Sequence, residues 1–349
     1  MKQFGKSKCD SPLVSIILPC RNASKVINRC LSSIVEQTLK NWELIAIDDH
    51  STDSTYDLLH SASQQDMRIR VYRSPGKGIV DALNFGTGRS QAPLIARMDA
   101  DDRMLPSRLR KQFDYLSAHQ ETVLVASQVL HKCEEGDLSD SGFLHYVEWS
   151  NQILTGSDME LAQFEESPVV HPSVMYKKDL LVTFGGYRNG PFPEDYELWL
   201  RCLSKGARFH KLEDILLEWF DSSGRASRNQ SQYSQEAFQY TKALYLKSWL
   251  NKNDLFGKSI CAWGAGVVAK KQAKILSQNN IRIKKFYDTD PLKIGKTIQK
   301  APICNIHDIC PRDDEFLLIL AGARSIKPKI RSFLEKKKLI AGEHYLFFA

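Results

Sequence analysis

The sequence has no apolar run long enough to cross a membrane and no stretch typical of a cleaved secretion signal. Its longest late apolar run, FLLILAGA from Phe316, is far shorter than the ~20 residues that span a bilayer. Near the N-terminus a short apolar stretch ends at Pro19, below the roughly 7–15 residues of a signal-peptide core. These absences predict a cytoplasmic protein without a transmembrane segment, and they leave peripheral membrane contact open.

Closely spaced cysteine pairs and low-complexity tracts are also absent. The eight cysteines include no CxxC pair, which argues against a zinc ribbon or a disulfide scaffold and favours free thiols. Hydrophobic residues make up 42% and charged residues 26% of the chain, close to globular averages, so extensive disorder is excluded. The length of 349 residues predicts two domains.

Charge is distributed unevenly along the chain. From Leu255 to the C-terminus there are 18 Lys and Arg against 8 Asp and Glu, a net charge of +10, whereas the rest carries −3. A basic segment of this kind favours a polyanionic partner such as RNA. A solvated, lysine-rich surface explains the same excess without a partner, so both interpretations stay open.

Short apolar strands alternate with amphipathic helices in the N-terminal half. Strands are predicted in VSIILPC from Val14, WELIAIDD from Trp42, IRVYR from Ile69 and APLIARMDADD from Ala92. This alternation predicts an α/β fold with a mostly parallel, doubly wound sheet, in which ligands bind beyond the carboxyl ends of the strands. Two of the strands end in aspartates, so we expect these carboxylates to meet at one edge of the sheet.

A second strand–glycine turn–helix unit follows a long predicted helix near the middle of the chain. It begins at GKSICAWGAGVVAKK and continues through IRIKKFYDTDP and EFLLILAG. We therefore predict an N-terminal tail at 1–11, an α/β domain at 12–233, a linking helix at 234–254 and a smaller Rossmann-like domain at 255–349.

The strongest functional pattern is the acidic cluster after the fourth strand. Asp99, Asp101 and Asp102 place three carboxylates within four residues, where they repel one another. A divalent cation relieves this repulsion, and carboxylate oxygens suit Mg²⁺ or Mn²⁺. A metal held here can also neutralise a diphosphate leaving group. The structural alternative is an acidic turn or a helix N-terminus, which attracts aspartate in any case.

Polar residues after two other strands are further candidate ligands. Asp49 ends the second strand and can accept hydrogen bonds from a base or a ribose. Asp53 is predicted to cap the following helix. The glycine-containing loop at 74–78 would bring backbone amides and Lys77 toward a phosphate, although such loops usually only turn the chain.

An acidic pair opens an amphipathic helix farther along the chain. Glu194 and Asp195 either cap this helix or, if one faces the donor sugar, deprotonate an acceptor hydroxyl as a general base. His171 precedes a proline between apolar stretches and is predicted to be a structural group rather than a ligand.

In combination these segments resemble glycosyltransferase family 2, the inverting enzymes with the GT-A fold. The blocks VSIILPCRNAS, WELIAIDDHSTDST, NFGTGRSQAPLIARMDADD, HPSVMYKK and EDYELWLR occur in that family's order over roughly residues 12–220. The resemblance implies that the chain transfers a sugar from a nucleotide diphosphate, usually UDP. It also implies that Asp49 contacts the base and that Pro19, Cys20 and Asn22 line the nucleoside pocket. Cys20 departs from the family, which often has tyrosine there.

The same resemblance implies roles for the acidic residues. Asp99 and Asp101 would form the DxD pair, with Asp101 as the favoured metal ligand. Asp195, supported by Glu194, would be the catalytic base.

The C-terminal segment carries a second, partial resemblance. CAWGAGVVAKK, FYDTDPLKIG and EHYLFFA are similar to the tail of β-1,3-N-acetylglucosaminyltransferase-like proteins, whose animal members are linked to galactosylation of queuosine in tRNA. Gly264, Gly266 and Ala269 also match the dinucleotide fingerprint GxGxxG/A, with Asp288 in the ribose-binding place. A structural turn or an RNA-docking module is the alternative to a bound dinucleotide.

The sequence thus predicts an inverting glycosyltransferase that depends on Mn²⁺ or Mg²⁺. We expect it to move a hexosyl or N-acetylhexosaminyl group from a UDP-sugar to a hydroxyl of a glycan or a cell-surface saccharide precursor. Glycosylation of tRNA through the basic C-terminal domain is one alternative, and a non-catalytic nucleotide-sensing module is another.

Overall fold

The computed structural model describes residues 11–133, 142–221, 230–309 and 314–349. The chain folds into two compact units, each built on its own β-sheet, which confirms the predicted α/β fold with a second sheet domain at the C-terminus. The boundaries predicted at 12, 234 and 255 stay predictions. The first unit comprises Met1–Gly156, Val169–Asn189 and Ala207–Arg225, and the second comprises Ser157–Pro168, Gly190–Gly206 and Ala226–Ala349.

Eight strands form the sheet of the first unit. Most of their residues are buried, as the β-branched apolar runs of the sequence predict. The strands are β1 (Val14–Cys20), β2 (Trp42–Asp48), β3 (Ile69–Arg73), β4 (Leu94–Arg97), β5 (Arg103–Met104), β6 (Thr122–Cys133), β7 (Met175–Lys177) and β8 (Arg208–Asp221).

The order of strands in this sheet is β3-β2-β1-β4-β7-β6-β8-β5. Strand β1 pairs in parallel with β2 on one side and β4 on the other, and β2 pairs in parallel with β3. Strand β7 runs antiparallel to β4 and β6. The loops that follow β1, β2, β3 and β4 therefore leave the same edge of the sheet, as predicted for the parallel part.

Helices cover the sheets with their apolar faces. Helix α1 buries Ile27, Cys30, Leu31 and Ile34 at the helical spacing seen in the sequence, and these side chains join the core formed by β1 and β2. The α-helices are α1 (Ile27–Val35), α2 (Thr55–Gln65), α3 (Ile79–Arg89), α4 (Arg108–Ala118), α5 (Gly142–Asn151), α6 (Gly156–Ala162), α7 (Asp179–Phe184), α8 (Glu194–Ser204), α9 (Gln235–Lys252), α10 (Val267–Gln278) and α11 (Lys327–Lys336).

The second unit contains a six-stranded sheet. Its strands are all parallel except β11, and its order is β11-β12-β10-β9-β13-β14. Parallel strands with helices between them agree with the predicted Rossmann-like architecture. The strands are β9 (Ser259–Trp263), β10 (Lys285–Asp288), β11 (Thr297–Ile298), β12 (Ala301–Asn305), β13 (Glu315–Ile319) and β14 (Tyr345–Phe347).

The described residues contain neither a disulfide nor a helix with the length and apolarity needed to cross a membrane. Four of the described cysteines are buried, and in two of them, Cys20 and Cys30, burial raises the pKa of the thiol well above the ordinary value. Both thiols therefore stay protonated at neutral pH. Cys9 and Cys310 lie outside the described residues.

Candidate functional site

The acidic cluster after β4 forms a compact group of carboxylates. One carboxylate oxygen from each of Asp99, Asp101 and Asp102 lies within 4.8 Å of the others. Within the described residues it is the one group of three or more His, Cys, Asp or Glu side chains with metal-ligand spacing. Oxygen is the donor that hard divalent cations prefer, so these side chains fit Mg²⁺ or Mn²⁺.

The three aspartates lie in different surroundings. Asp102 has no exposed surface, and its Oδ1 accepts a hydrogen bond from the Phe220 backbone N–H at 2.9 Å. Asp99 forms an ion pair with the buried guanidinium of Arg97. Asp101 is partly exposed, and its backbone carbonyl accepts a hydrogen bond from Arg29. Asp102 thus connects the cluster to β8, while Asp99 and Asp101 are partly exposed.

Two buried arginines counter the negative charge of this cluster. Arg97 and Arg108 are both almost completely buried, and Arg108 donates hydrogen bonds to the carbonyls of Arg97 at 2.9 Å and Val174 at 3.3 Å. Burial lowers the pKa of Arg108 to about 9, and the positive charge of Arg97 acts in the same direction while Asp102 opposes it. Arg108 therefore remains a cation at neutral pH, and its hydrogen bond to the Arg97 carbonyl stabilises the backbone just before the acidic loop.

Asp49 lies at the same edge of the sheet, directly after β2. Its backbone N–H donates to the carbonyl of Cys20 at 2.7 Å, which joins the ends of β2 and β1. Both carboxylate oxygens accept from the backbone N–H of Gly78, at 3.0 and 3.1 Å, and Arg21 lies 3.7 Å away. Gly78 has a φ of 95°, which glycine adopts readily. Asp49 therefore holds the loop at 74–78, and its predicted role toward a base stays a prediction.

The loops after β1 and β2 are tied together by side-chain hydrogen bonds. The side-chain oxygen of Asn22 accepts from the backbone N–H of Thr52 at 2.8 Å. Asp53 accepts from the backbone N–H groups of Ser24 at 3.1 Å and Thr55 at 3.0 Å. Burial alone would raise the pKa of Asp53, but these hydrogen bonds lower it well below the ordinary value. The N-cap of α2 is Ser54, so Asp53 lies one residue before the capping position predicted for it and contacts the first helical residue, Thr55.

Two further candidates for nucleoside and phosphate contacts differ in exposure. Cys20 belongs to the same core cluster as Ile16 and Leu18 and is buried with them on one face of β1. Lys77 is exposed, and its backbone N–H donates to a carboxylate oxygen of Asp81 at 3.1 Å. Pro19, next to Cys20, is partly exposed. The roles of Pro19, Cys20, Asn22 and Lys77 in nucleotide binding stay predictions.

Glu194 and Asp195 form the first turn of α8, in the second unit. Glu194 is only 3% exposed, and its Oε2 accepts a hydrogen bond from the Tyr233 hydroxyl at 2.7 Å. Asp195 is partly exposed, and its Oδ1 accepts from the backbone N–H of Tyr196 at 2.7 Å. Carboxylates at a helix N-terminus interact favourably with the helix dipole.

The rest of α8 is fixed by buried polar contacts. Arg201 donates to both carboxylate oxygens of Glu197, at 3.0 and 2.8 Å, and the Tyr245 hydroxyl also donates to Glu197. The Tyr196 hydroxyl donates to the backbone carbonyl of Gln163. The helix was predicted to be amphipathic, but it is buried on nearly all sides because its polar face is neutralised by internal pairing.

The glycine turn of the second unit follows β9. Gly264 has a φ of 121°, and a Cβ there would lie 3.1 Å from the backbone nitrogen of Ala321, so the fold itself requires glycine. A Cβ at Gly266 would meet no atom within 4 Å.

Asp288 lies at the end of β10 and is hydrogen-bonded to this turn. Its carboxylate accepts from the backbone N–H of Ala265 at 2.8 Å and of Asp290 at 2.9 Å, and Lys293 lies 3.2 Å away. Dinucleotide binding at Gly264, Gly266 and Asp288 stays a prediction, and the observed contacts give Asp288 a structural role.

Sequence reasoning assigned no role to Arg97 or Tyr233, whereas it singled out His171 as a structural group. Arg97 lies two residues before Asp99, and its apolar strand neighbours were a signal that its charge is buried. His171 accepts or donates a hydrogen bond with the Tyr187 hydroxyl at 3.0 Å, and burial lowers its pKa well below 6.5, in agreement with a neutral structural group. Tyr233 lies 39 positions from Glu194, and no local pattern marks it.

Comparison with known proteins supports the glycosyltransferase resemblance. Residues 15–183 match the family model described as glycosyl transferase family 2. The chain is 28% identical over 209 residues to the amylovoran biosynthesis glycosyltransferase AmsE of Erwinia amylovora, covering 59% of this chain and 75% of the relative. It is 27% identical over 224 residues to a UDP-Gal:alpha-D-GlcNAc-diphosphoundecaprenol beta-1,3-galactosyltransferase of Escherichia coli, covering 63% of this chain and 78% of the relative.

The fold is also similar to that of a solved glycosyltransferase structure. The crystal structure of S. aureus TarS in complex with UDP-GlcNAc matches with a TM-score of 0.55 over 70% of each chain, at 16% sequence identity. At this identity the similarity concerns the fold alone, and it agrees with the predicted GT-A architecture. The family model covers 169 of the 349 residues, so over residues 15–183 the chain is similar to glycosyl transferase family 2.

Proposed function

We propose that this chain transfers a sugar from a UDP-sugar to an acceptor hydroxyl with inversion at the anomeric carbon, and that it depends on Mn²⁺ or Mg²⁺. The observation that carries the proposal is the group of carboxylates of Asp99, Asp101 and Asp102, which follows the carboxyl end of the parallel strand β4 within residues 15–183, the segment that matches the family 2 model. The E. coli relative is named for a UDP-Gal donor, which supports UDP as the nucleotide.

Asp101 and Asp99 are the proposed metal ligands. A bound divalent cation would neutralise charge on the diphosphate while the sugar–phosphate bond breaks. Arg97 orients Asp99 through their ion pair, and Arg29 fixes the backbone of Asp101. Asp102 is occupied by the N–H of Phe220 and serves to anchor the loop.

Asp195 is the proposed catalytic base. Its carboxylate takes the proton of the acceptor hydroxyl, whose oxygen forms a bond to the anomeric carbon as the bond from that carbon to the phosphate oxygen breaks. UDP leaves with the electron pair of the broken bond. One displacement inverts the anomeric centre, so no covalent bond between sugar and protein forms. The family resemblance of EDYELWLR and the exposure of Asp195 support this assignment.

The nucleoside contacts are proposed on the family resemblance. Asp49 would accept from the uracil N–H, and Pro19, Cys20 and Asn22 would line the pocket. Lys77 would approach a phosphate oxygen, since it is exposed on the loop that Asp49 holds.

The acceptor is proposed to be a saccharide precursor, because the Erwinia relative is named for the biosynthesis of amylovoran and the E. coli relative for transfer to a diphosphoundecaprenol-linked sugar. A queuosine-type tRNA is the second candidate. It rests on the partial C-terminal resemblance and on the charge of +10 from Leu255 onward. Lys270, Lys271 and Lys274 contribute to that charge and are exposed on α10.

A screen of UDP release tests the proposal without knowledge of the acceptor. The full-length chain is incubated with UDP- and GDP-sugars in Mn²⁺, in EDTA, and in EDTA followed by excess Mn²⁺. We expect release from a UDP-sugar, a loss of at least about tenfold in EDTA, and recovery with Mn²⁺, because the metal stabilises the leaving group. Release that is equal in EDTA and Mn²⁺ would contradict the metal assignment. The active donor is then offered with lipid-linked saccharides or with tRNA to separate the two acceptor classes.

A further inference from the structure

Tyr233 connects the segment before α9 to the acidic start of α8. It ends a 3₁₀ turn, Ser231–Tyr233, and its hydroxyl donates to Oε2 of Glu194 at 2.7 Å. The next residue, Ser234, caps α9 by accepting from the backbone N–H of Ala237 at 3.2 Å. The capped helix therefore fixes the backbone from which the Tyr233 hydroxyl reaches Glu194.

Helices α8 and α9 share one hydrophobic core. Tyr196 and Leu200 of α8 belong to the same buried cluster as Leu246 and Trp249 of α9. The rings of Tyr196 and Phe238 lie 5.4 Å apart, close to the start of both helices. This packing holds α8 and the Tyr233 turn in a constant relation, so the hydrogen bond from Tyr233 has a defined geometry.

The charges around this hydrogen bond require a protonated donor. Burial raises the pKa of Tyr233 far above its ordinary value, and the carboxylates of Glu194 and Asp195 act in the same direction. Gln232 is a neutral hydrogen-bonding neighbour of the same hydroxyl. Tyr233 therefore keeps its proton and can stabilise the ionised form of Glu194, which is almost completely buried and would otherwise favour the protonated form.

We propose that Tyr233 is a positioning residue for the catalytic base, which it serves by keeping Glu194 ionised and oriented beside Asp195. This inference rests on the proposed function, since it takes Asp195 as the base that removes the proton from the acceptor hydroxyl. The negative charge of Glu194 makes Asp195 more basic, because a nearby like charge disfavours the ionised form of a carboxyl group. In the active form of the protein both carboxylates are ionised, and the hydrogen bond from the Tyr233 hydroxyl stabilises the buried carboxylate of Glu194.

The variant Tyr233→Phe removes the hydroxyl and keeps the ring. Loss of a hydrogen bond to a charged group predicts a fall in kcat of about tenfold, with the KM for the UDP-sugar within about twofold of the wild type. The acidic limb of the kcat–pH profile is expected to move to higher pH by about one unit. Without the hydrogen bond from Tyr233, the Glu194–Asp195 pair holds its last proton more tightly. Tyr240→Phe is the matched control, since Tyr240 is 41% exposed on α9.

A second variant, Glu194→Gln, keeps an acceptor for Tyr233 and removes the charge. Its acidic limb is expected to move to lower pH, opposite to that of Tyr233→Phe, because Asp195 loses its like-charged neighbour. Thermal unfolding of each variant is measured alongside, and Glu194→Gln decides the question if Tyr233→Phe does not fold. A purely structural role would lower the melting temperature and leave both limbs where they are in the wild type, and that result would overturn the inference.

The proposed function is checked in the same assay with Asp195→Asn. Turnover retained in that variant contradicts the base assignment itself. Loss of turnover in Asp195→Asn, together with wild-type kcat and pH profile in Tyr233→Phe and Glu194→Gln, overturns only the role of Tyr233.

Discussion

Replacing Asp101 with asparagine is expected to lower sugar transfer about a thousandfold at saturating Mn²⁺, since several kcal/mol of transition-state stabilisation come from the metal. Asparagine keeps the size of the side chain but removes the charge that holds the cation. Asp101 is partly exposed, and asparagine has nearly the same shape as aspartate. The variant should therefore fold normally, and the measurement is kcat/KM for UDP release over a range of Mn²⁺ concentrations.

Asp114→Asn is the matched control for this variant. Asp114 lies on α4 in the same unit, 58% of its side chain is exposed, and it pairs with Arg110 at 3.6 Å. An exposed pair of this kind contributes about 0–1 kcal/mol to stability, so Asp114→Asn should behave as the wild type. If Asp101→Asn retains wild-type kcat/KM and Mn²⁺ dependence, Asp101 is not the metal ligand.

Replacing Asp195 with asparagine is expected to lower kcat by about 10²–10⁴-fold, the range in which a general base contributes. The affinity for UDP should remain within about twofold of the wild type, because the base acts on the acceptor proton and not on the nucleotide. The measurements are transfer to the identified acceptor and calorimetric titration with UDP in Mn²⁺.

Asp254→Asn provides the matched control in the second unit. Asp254 is exposed and has a φ of 57°, a conformation that asparagine tolerates as well as aspartate. Its turnover should equal that of the wild type. A loss of UDP affinity in Asp195→Asn as large as its loss of kcat would assign Asp195 to donor binding instead of proton transfer.

The parallel part of the first sheet could be predicted because each of its strands is recognisable from a short, continuous segment of the sequence. Strands β1, β2 and β4 are short apolar runs, and aspartates follow β2 and β4 closely, so the alternation with helices indicated where Asp49 and Asp99 would emerge. The far half of the sheet carried no such signal. Strand β6 pairs with β8 in parallel across more than eighty residues, and its register shifts at irregularities that residue periodicity does not encode.

The acidic cluster shows the same limit at the level of single residues. The family resemblance separates Asp99 and Asp101, as the DxD pair, from Asp102, but the sequence shows no contact of any of the three. They differ in the structure because Asp102 contacts Phe220, which lies 118 positions away. The contact that holds Asp102 thus comes from a distant strand, which no local pattern shows.

The packing partners of α8 could likewise not be predicted from the sequence. Periodicity indicates which side of a helix is apolar, but it names no packing partner. In the structure Glu197 is paired with Arg201 and receives the hydroxyl of Tyr245, so a polar face becomes a buried one. The hydrogen bond from Tyr233 to Glu194 depends on the same distant helix, which explains why the acidic pair alone left capping and catalysis as equal interpretations.

Titration of the wild-type chain with UDP, with and without Mn²⁺, tests most directly whether a cation bound by the aspartates also binds the diphosphate. Binding of metal and UDP at one site is coupled, so we expect UDP to bind at least about tenfold more tightly with Mn²⁺ present. The same titration of Asp101→Asn should show almost no difference between the two conditions. A dissociation constant for UDP that is the same in Mn²⁺ and in EDTA for the wild type would contradict the account.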